Sequence, residues 1–157
     1  MAGASKILNN LCLNYRGYGL SMGIMIAGSD KTGQRLFYID NDGTRLEGDL
    51  FAVGSGGTFA LGVIETHLKK DMKDEEAIDL GVRAIYHATH RDIASGGVCR
   101  VYHIHKDGWT RVHDGLDVNE LHWKFKEEKG MEIEDDDNLI NEFKNMSSFS
   151  PPSLITF

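Results

Sequence analysis

The chain has 157 residues, 41% of them hydrophobic, and a formal net charge of −7. That leaves room for one domain around one core, and the acidic balance argues against a nucleic-acid binder, which needs a basic footprint. No stretch approaches the roughly 20 apolar residues of a membrane span.

The first five residues lead directly into a helical pattern, without the charged region and apolar core of a secretory signal. Ile7, Leu8, Leu11, Cys12 and Tyr15 recur at helical spacing, and Gly17 offers a stop. Met22 to Gly28 is a short continuous apolar run, read as a strand buried on both faces. Lys31-Thr32-Gly33 is a turn, Leu36 to Ile39 a second strand, and Asn41-Asp42-Gly43 a hairpin turn. In the return strand Leu46, Leu50 and Ala52 alternate with Arg45, Glu47 and Asp49, which predicts one wet face.

Gly54-Ser55-Gly56-Gly57 ends that strand and opens a helix with the stripe Phe59, Ala60, Val63, Ile64 and Leu68. A second helix starts near Asp74, an N-cap candidate followed by Glu75 and Glu76. Its expected buried face is Ala77, Gly81, Ala84, Ile85 and Ala88, small residues that suit a close approach to a neighbour. Arg91 to Gly97 reads as a loop and Val98 to His105 as a strand. Asp107-Gly108 reads as a turn, Trp109 to His113 as the return and Asp114-Gly115 as a further turn. Asp117 can cap a last helix carrying Val118, Leu121, His122 and Phe125. Residues 130–157, acidic and then Ser/Pro-rich, read as a flexible tail. The order α-β-β-β-α-α-β-β-α with tight hairpins predicts an α+β fold with helices packed on antiparallel sheets.

Taken alone, the chemistry-bearing residues have ordinary explanations. Ser55 can cap a helix or sit at a helix N-terminus that holds phosphate, although neither phosphate-loop nor dinucleotide spacing is present. Asp92 can cap a turn. His103 with His105, and His87 with His90, form pairs that lack a third metal ligand. The acidic run Glu132 to Asp137 lacks the spacing of a calcium loop. Cys12 and Cys99 read as buried thiols, consistent with a reducing compartment, since no Cys-x-x-Cys occurs. No metal or cofactor is expected.

Several strings together resemble one family. They include Ala4-Ser5-Lys6-Ile7-Leu8, Gly19-Leu20-Ser21-Met22-Gly23, Tyr38 through Leu46 and Val53-Gly54-Ser55-Gly56. Ala88 through Gly97, with its His-Arg-Asp-x-x-Ser-Gly-Gly core, and Tyr102 through Trp109 complete the set. Their order and spacing resemble proteasome beta subunits, specifically the beta type-5 (chymotrypsin-like) branch, over residues 4–128. The resemblance implies an N-terminal-nucleophile-hydrolase-like four-layer α-β-β-α sandwich, incomplete at its N-terminus. It also implies a component of the 20S core in the cytoplasm and nucleus, with other proteasome alpha and beta subunits as partners and protein or peptide substrates. Neither nucleic acid nor membrane is an expected partner.

The family reaction is peptide-bond hydrolysis by an N-terminal threonine whose own α-amine works as the base. The resemblance carries a supporting network onto Asp92, Ser95 and Ser55, with Gly96 and Gly97 letting the backbone approach. The threonine-bearing first strand matches nothing in this chain, so the chain alone is expected to be inactive. Gly43-Thr44 and Gly57-Thr58 offer no substitute, because a cut at either would break the fold. The alternative expectation is a non-catalytic truncated isoform acting in subunit contacts or assembly. Either way, sheet edges and apolar faces are expected to be exposed.

Overall fold

The computed structural model of the chain describes residues 1–128, so the expected tail at 130–157 lies outside the described residues. Met1–Leu121 form one compact unit and the residues from His122 onward belong to a second.

The first unit opens with helix α1, Ala2–Asn14. Strands β1 (Gly23–Asp30) and β2 (Gly33–Asp40) then form an antiparallel hairpin, Gly23 opposite Asp40 and Asp30 opposite Gly33. Strand β3, Arg45–Glu47, adds to the far side of β2 with Phe37 opposite Glu47. Gly43 makes the connecting turn possible twice over. Its φ of +92° suits a residue without Cβ, and an added Cβ would collide with Leu13 of α1. Asp42 completes the turn by accepting the Thr44 N–H at 2.8 Å.

Phe37 and Ile39, alternate residues of β2, are 0% exposed. Arg45 ties the sheet to α1: its guanidinium lies 4.6 Å from the Phe37 ring centre, and its Nε donates to Ser5 Oγ at 2.9 Å. This bond orients α1 with Ser5, Asn9 and Cys12 inward. The helical spacing of Ile7, Leu11 and Tyr15 is real, but those three side chains are exposed.

Two strand expectations need correction. Strand β1 is not buried on both faces: Gly23, Met25 and Ala27 on one face are exposed, while Ile24 and Ile26 on the other are partly buried. It is also an edge strand with β2 as its partner, and a continuous apolar run does not by itself say that both faces are covered. The return strand stops at Glu47 and does not run to Ala52. Gly48 still donates to Leu36 O at 3.2 Å, after which Phe51 folds back to pack its ring 5.8 Å from that of Tyr38.

Helix α2 spans Gly57–His67 and α3 spans Asp74–Arg91. They meet through Ala60, Ala84 and Ala88, with Ala52, Val63 and Ile64 around them. The small residues permit the close approach expected of them. The remaining stripe differs: Phe59, Leu68, Ala77 and Ile85 are exposed, whereas Leu80, Val82 and Tyr86 are buried. Helix α3 is covered on two sides, by α2 and by strand β4, so its buried surface is wider than one stripe. Lys73, not Asp74, holds the N-cap position; its N–H donates to Glu76 Oε2 at 3.2 Å.

Strands β4 (Val98–His105) and β5 (Gly108–Asp117) form a second antiparallel sheet. Asp114-Gly115 is not a turn. The pair lies inside β5 at a register shift, where Cys99 faces Leu116 and Val101 faces His113. Cys12 and Cys99 are both buried and free. Helix α4, Val118–Glu128, starts with Asp117 Oδ1 accepting the Asn119 N–H at 2.8 Å. From His122 this helix belongs to the second unit, within which the Lys126 ammonium lies 5.2 Å from the Trp123 ring centre.

Candidate active site

The connection between α3 and β4 is short and internally bonded. Asp92 follows the last helical residue, its N–H still bonded to Ala88 O at 2.8 Å. Its main-chain carbonyl accepts the Ser95 N–H at 3.0 Å, and its carboxylate accepts the Ala94 N–H at 3.2 Å. Gly97, at φ +83°, then turns the chain into β4. The Asp92 carboxylate is therefore fixed by its own loop before any distant residue contributes.

The distant contribution comes from the start of α2. Ser55 Oγ donates to Asp92 Oδ2 at 2.6 Å, and Ser95 Oγ donates to the same oxygen at 2.5 Å. Gly54 at φ +106° swings Ser55 toward Asp92, and the helix begins two residues later. The three site residues expected from the sequence are thus brought together on one carboxylate oxygen.

Gly56, which the sequence reading did not single out as a site residue, is what lets them meet. A Cβ there would lie 3.1 Å from Ala88 Cβ, 3.1 Å from Ser95 Oγ and 3.3 Å from Asp92 Oδ2. Next to it, Gly57 is held against the main chain, where a Cβ would lie 2.7 Å from Ala52 O. The run Gly-Ser-Gly-Gly was the available signal. Gly96 has open space where its side chain would be.

The electrostatics follow from the bonds. The Ser55 hydroxyl, then the Ser95 hydroxyl and the Ala94 N–H, hold the Asp92 carboxyl below the usual carboxylate range. Each serine has a single proton, and both protons are committed to Asp92. What the serines still offer is lone pairs, beside a negative charge at the carbonyl-rich end of α3. The cluster is therefore an acceptor site for a donor of positive charge, and a primary ammonium with its three N–H groups fits that chemistry.

The histidine pairs build nothing comparable. The His103 and His105 rings are 5.6 Å apart, and His103 Nε2 lies 3.8 Å from Asp74 Oδ2. His87 and His90 flank the Tyr86 ring. Among the described residues no group of three or more His, Cys, Asp or Glu side chains could hold a metal, and no helix is long and apolar enough to cross a membrane. Cavities of about 280 and 360 Å³ open beside Ala27 and Gly28, away from Asp92.

The family model described as "Proteasome subunit" matches residues 2–104. The chain belongs to the proteasome subunit family. It is 62% identical over 112 residues to proteasome subunit beta type-5 of Dictyostelium discoideum, covering 71% of this chain and 41% of that protein. It is 55% identical over 125 residues to beta type-5-A of Arabidopsis thaliana, covering 80% of this chain and 45% of that protein. It is 52% identical over 127 residues to beta type-8 of Rattus norvegicus, covering 81% of this chain and 46% of that protein. These relatives place the proteasome chain in the beta type-5 branch. It spans less than half the length of each relative.

Proposed function

We propose that this chain is a component of the 20S proteasome core and that Ser55, Asp92 and Ser95 form the supporting part of a threonine-type endopeptidase site. The observation that carries the reading is the convergence of both hydroxyls on Asp92 Oδ2, at 2.6 and 2.5 Å. Such a cluster suits an N-terminal ammonium and fixes the position of the amine beside the reacting hydroxyl. A free α-amine titrates near pH 8, within reach of the protonation changes a general base undergoes at neutral pH.

On this reading the nucleophile is an N-terminal threonine outside residues 1–157. Its hydroxyl oxygen attacks the scissile carbonyl while the α-amine takes the hydroxyl proton. The tetrahedral intermediate collapses, the C–N bond breaks and the leaving amine receives that proton. Water then cleaves the resulting ester with the amine again as base. The residues of this chain take no proton themselves. Asp92 supplies the negative charge that holds the ammonium form, and the two serines set its position.

The fold of this reading is the four-layer α-β-β-α sandwich of N-terminal nucleophile hydrolases. It is supported by α1 packing on β2 and β3 and by α3 packing on β4. Partners are other proteasome alpha and beta subunits, substrates are proteins or peptides, and the setting is the cytoplasm and nucleus. Neither nucleic acid nor membrane has a part in it.

Half-exposed Met25 on an edge strand and the fully exposed Ile93 beside Asp92 favour a second reading, in which the chain acts in subunit contacts alone. The protein tagged at its C-terminus from its native gene, captured from cells and run on a native gel, separates the two. Capture of particles that contain alpha and beta subunits and cleave a fluorogenic peptide through the site of this chain supports the proteolytic reading. Capture of particles inactive at that site leaves the contact role. Absence of other subunits from the capture overturns both.

A further inference from the structure

Ser95 is tied to Asp92 twice, by its N–H at 3.0 Å and by its hydroxyl at 2.5 Å. The next two residues, Gly96 and Gly97, have the least conformational restraint of their own. Both are exposed, and open space surrounds the position a Cβ would take at each. Gly97 also sits at φ +83°. Neither residue has a side chain with which to fix this joint between the Asp92 cluster and β4.

A bond from the start of α4 fixes it instead. The Val118 N–H donates to Gly97 O at 3.1 Å. It carries the β4–β5 ladder one step past the Val98–Asp117 pair and into the loop. Val118 is the first residue of α4, directly after the capping residue Asp117. The first N–H of a helix has no acceptor within its own helix. Here that spare donor holds the loop that carries the site.

We propose that the Val118 main-chain N–H is a positioning group for the endopeptidase site. By holding Gly97 it fixes the path of the loop, and with it the Ser95 hydroxyl on Asp92. The inference rests on the proteolytic reading and extends that site to a residue of α4, outside the Ser55–Asp92–Ser95 cluster.

Proline isolates this contact. It lacks an N–H, suits the first position of a helix and favours an extended residue before it. Asp117, the last residue of β5, meets that requirement. Val118→Pro therefore removes the donor and leaves the helix, whereas the conservative control Val118→Ala shortens the side chain and keeps the donor.

The variants are made in the native gene, and core particles matched for incorporation are assayed for peptide hydrolysis at this site. Val118→Pro is expected to lower kcat about tenfold or more, with KM changed by no more than about twofold. Val118→Ala is expected to keep kcat within about threefold of wild type. Added to Ser95→Ala, Val118→Pro should slow hydrolysis further by no more than about threefold, because both act through one hydroxyl. Equal kcat for the proline and alanine variants overturns the proposal, as does a fully multiplicative double variant. Unaltered hydrolysis with Ser95→Ala alone overturns the proteolytic reading itself, which separates that failure from this one. If the proline variant does not incorporate, hydrogen exchange of wild-type particles decides. The Val118 amide is expected to exchange about tenfold or more slowly than an unbonded one, and exchange at the unprotected rate overturns the proposal.

Discussion

Ser55 lies 37 residues before Asp92 in sequence, yet its hydroxyl sits 2.6 Å from Asp92 Oδ2. The bond joins the start of α2 to the end of α3, two helices already packed through Ala60, Ala84 and Ala88. Helix packing therefore sets the site, and the site reports on the packing.

Ser55 and Ser95 donate to one oxygen, so their effects on the reaction should not multiply. In assembled particles, Ser55→Ala and Ser95→Ala are each expected to slow peptide hydrolysis. The double variant should be slower than the worse single by no more than about threefold, as for residues acting as one unit. Fully multiplicative losses would mean that the two serines act on different groups.

The two glycines opening α2 should differ in a defined order. At Gly56 an added methyl meets Ala88 Cβ, Ser95 Oγ and Asp92 Oδ2 at 3.1–3.3 Å, contacts that a few tenths of an ångström relieve. At Gly57 it meets the Ala52 carbonyl oxygen at 2.7 Å, which cannot move without its strand connection. Gly56→Ala should cost about 1 kcal/mol and Gly57→Ala about 3 kcal/mol. Thermal melting of both variants checks the order, and a more stable Gly57→Ala would contradict it.

Phe37 anchors the first sheet, fully buried between the Arg35 and Arg45 guanidinium groups at 5.0 and 4.6 Å. Phe37→Ala should lose about 3–5 kcal/mol, whereas Ile39→Val should lose about 0.5–1.5 kcal/mol. Urea denaturation measures both. Equal losses would show that the ring has no special place in the core.

Acid should destabilise the fold through carboxylates held below their ordinary range. Asp92 is held down by Ser55 and Ser95, Glu47 by Arg35, and Asp42 by the Thr44 N–H. A depressed folded value means that the native state binds fewer protons than the unfolded chain below the ordinary carboxylate range. The stability these groups supply is therefore present above that range and lost as pH falls through their folded values. All three groups are solvent-accessible, so each share is modest. Asp92→Asn should flatten the loss of urea stability between about pH 6 and about pH 3; an unaltered slope would remove Asp92 from the acid response.

Much of this architecture was legible in the sequence because short-range chemistry dictates it. Asn41-Asp42-Gly43 and Asp107-Gly108 announced their turns through glycines that the structure holds at φ +92° and +138°. Asp114-Gly115 carried the same signal and was misread, because a bulge inside a strand also uses a glycine at positive φ. The periodicity of α1 gave the helix but not its orientation. Periodicity alone does not say which face is inward, and the Arg45–Ser5 bond that decides it spans 40 positions. The α3 stripe was incomplete for a related reason, since two neighbours bury more than one face. At the site, Ser55, Asp92 and Ser95 came from the family resemblance, because local pattern offers only a helix cap and a turn cap. Gly56 escaped because a close approach between two helices leaves no period to read.

The most direct measurement is peptide hydrolysis by native-gel-purified core particles containing either the wild-type chain or its Asp92→Asn variant, normalised to the amount of chain incorporated. With the carboxylate gone, the amide oxygen can still accept from the two serines, but the amine loses its counter-charge. Hydrolysis at this site should fall about 10²-fold or more, as for loss of an electrostatic stabilising group, while incorporation stays the same. Equal rates at equal incorporation would contradict a catalytic role for the cluster and leave the chain with its contacts alone.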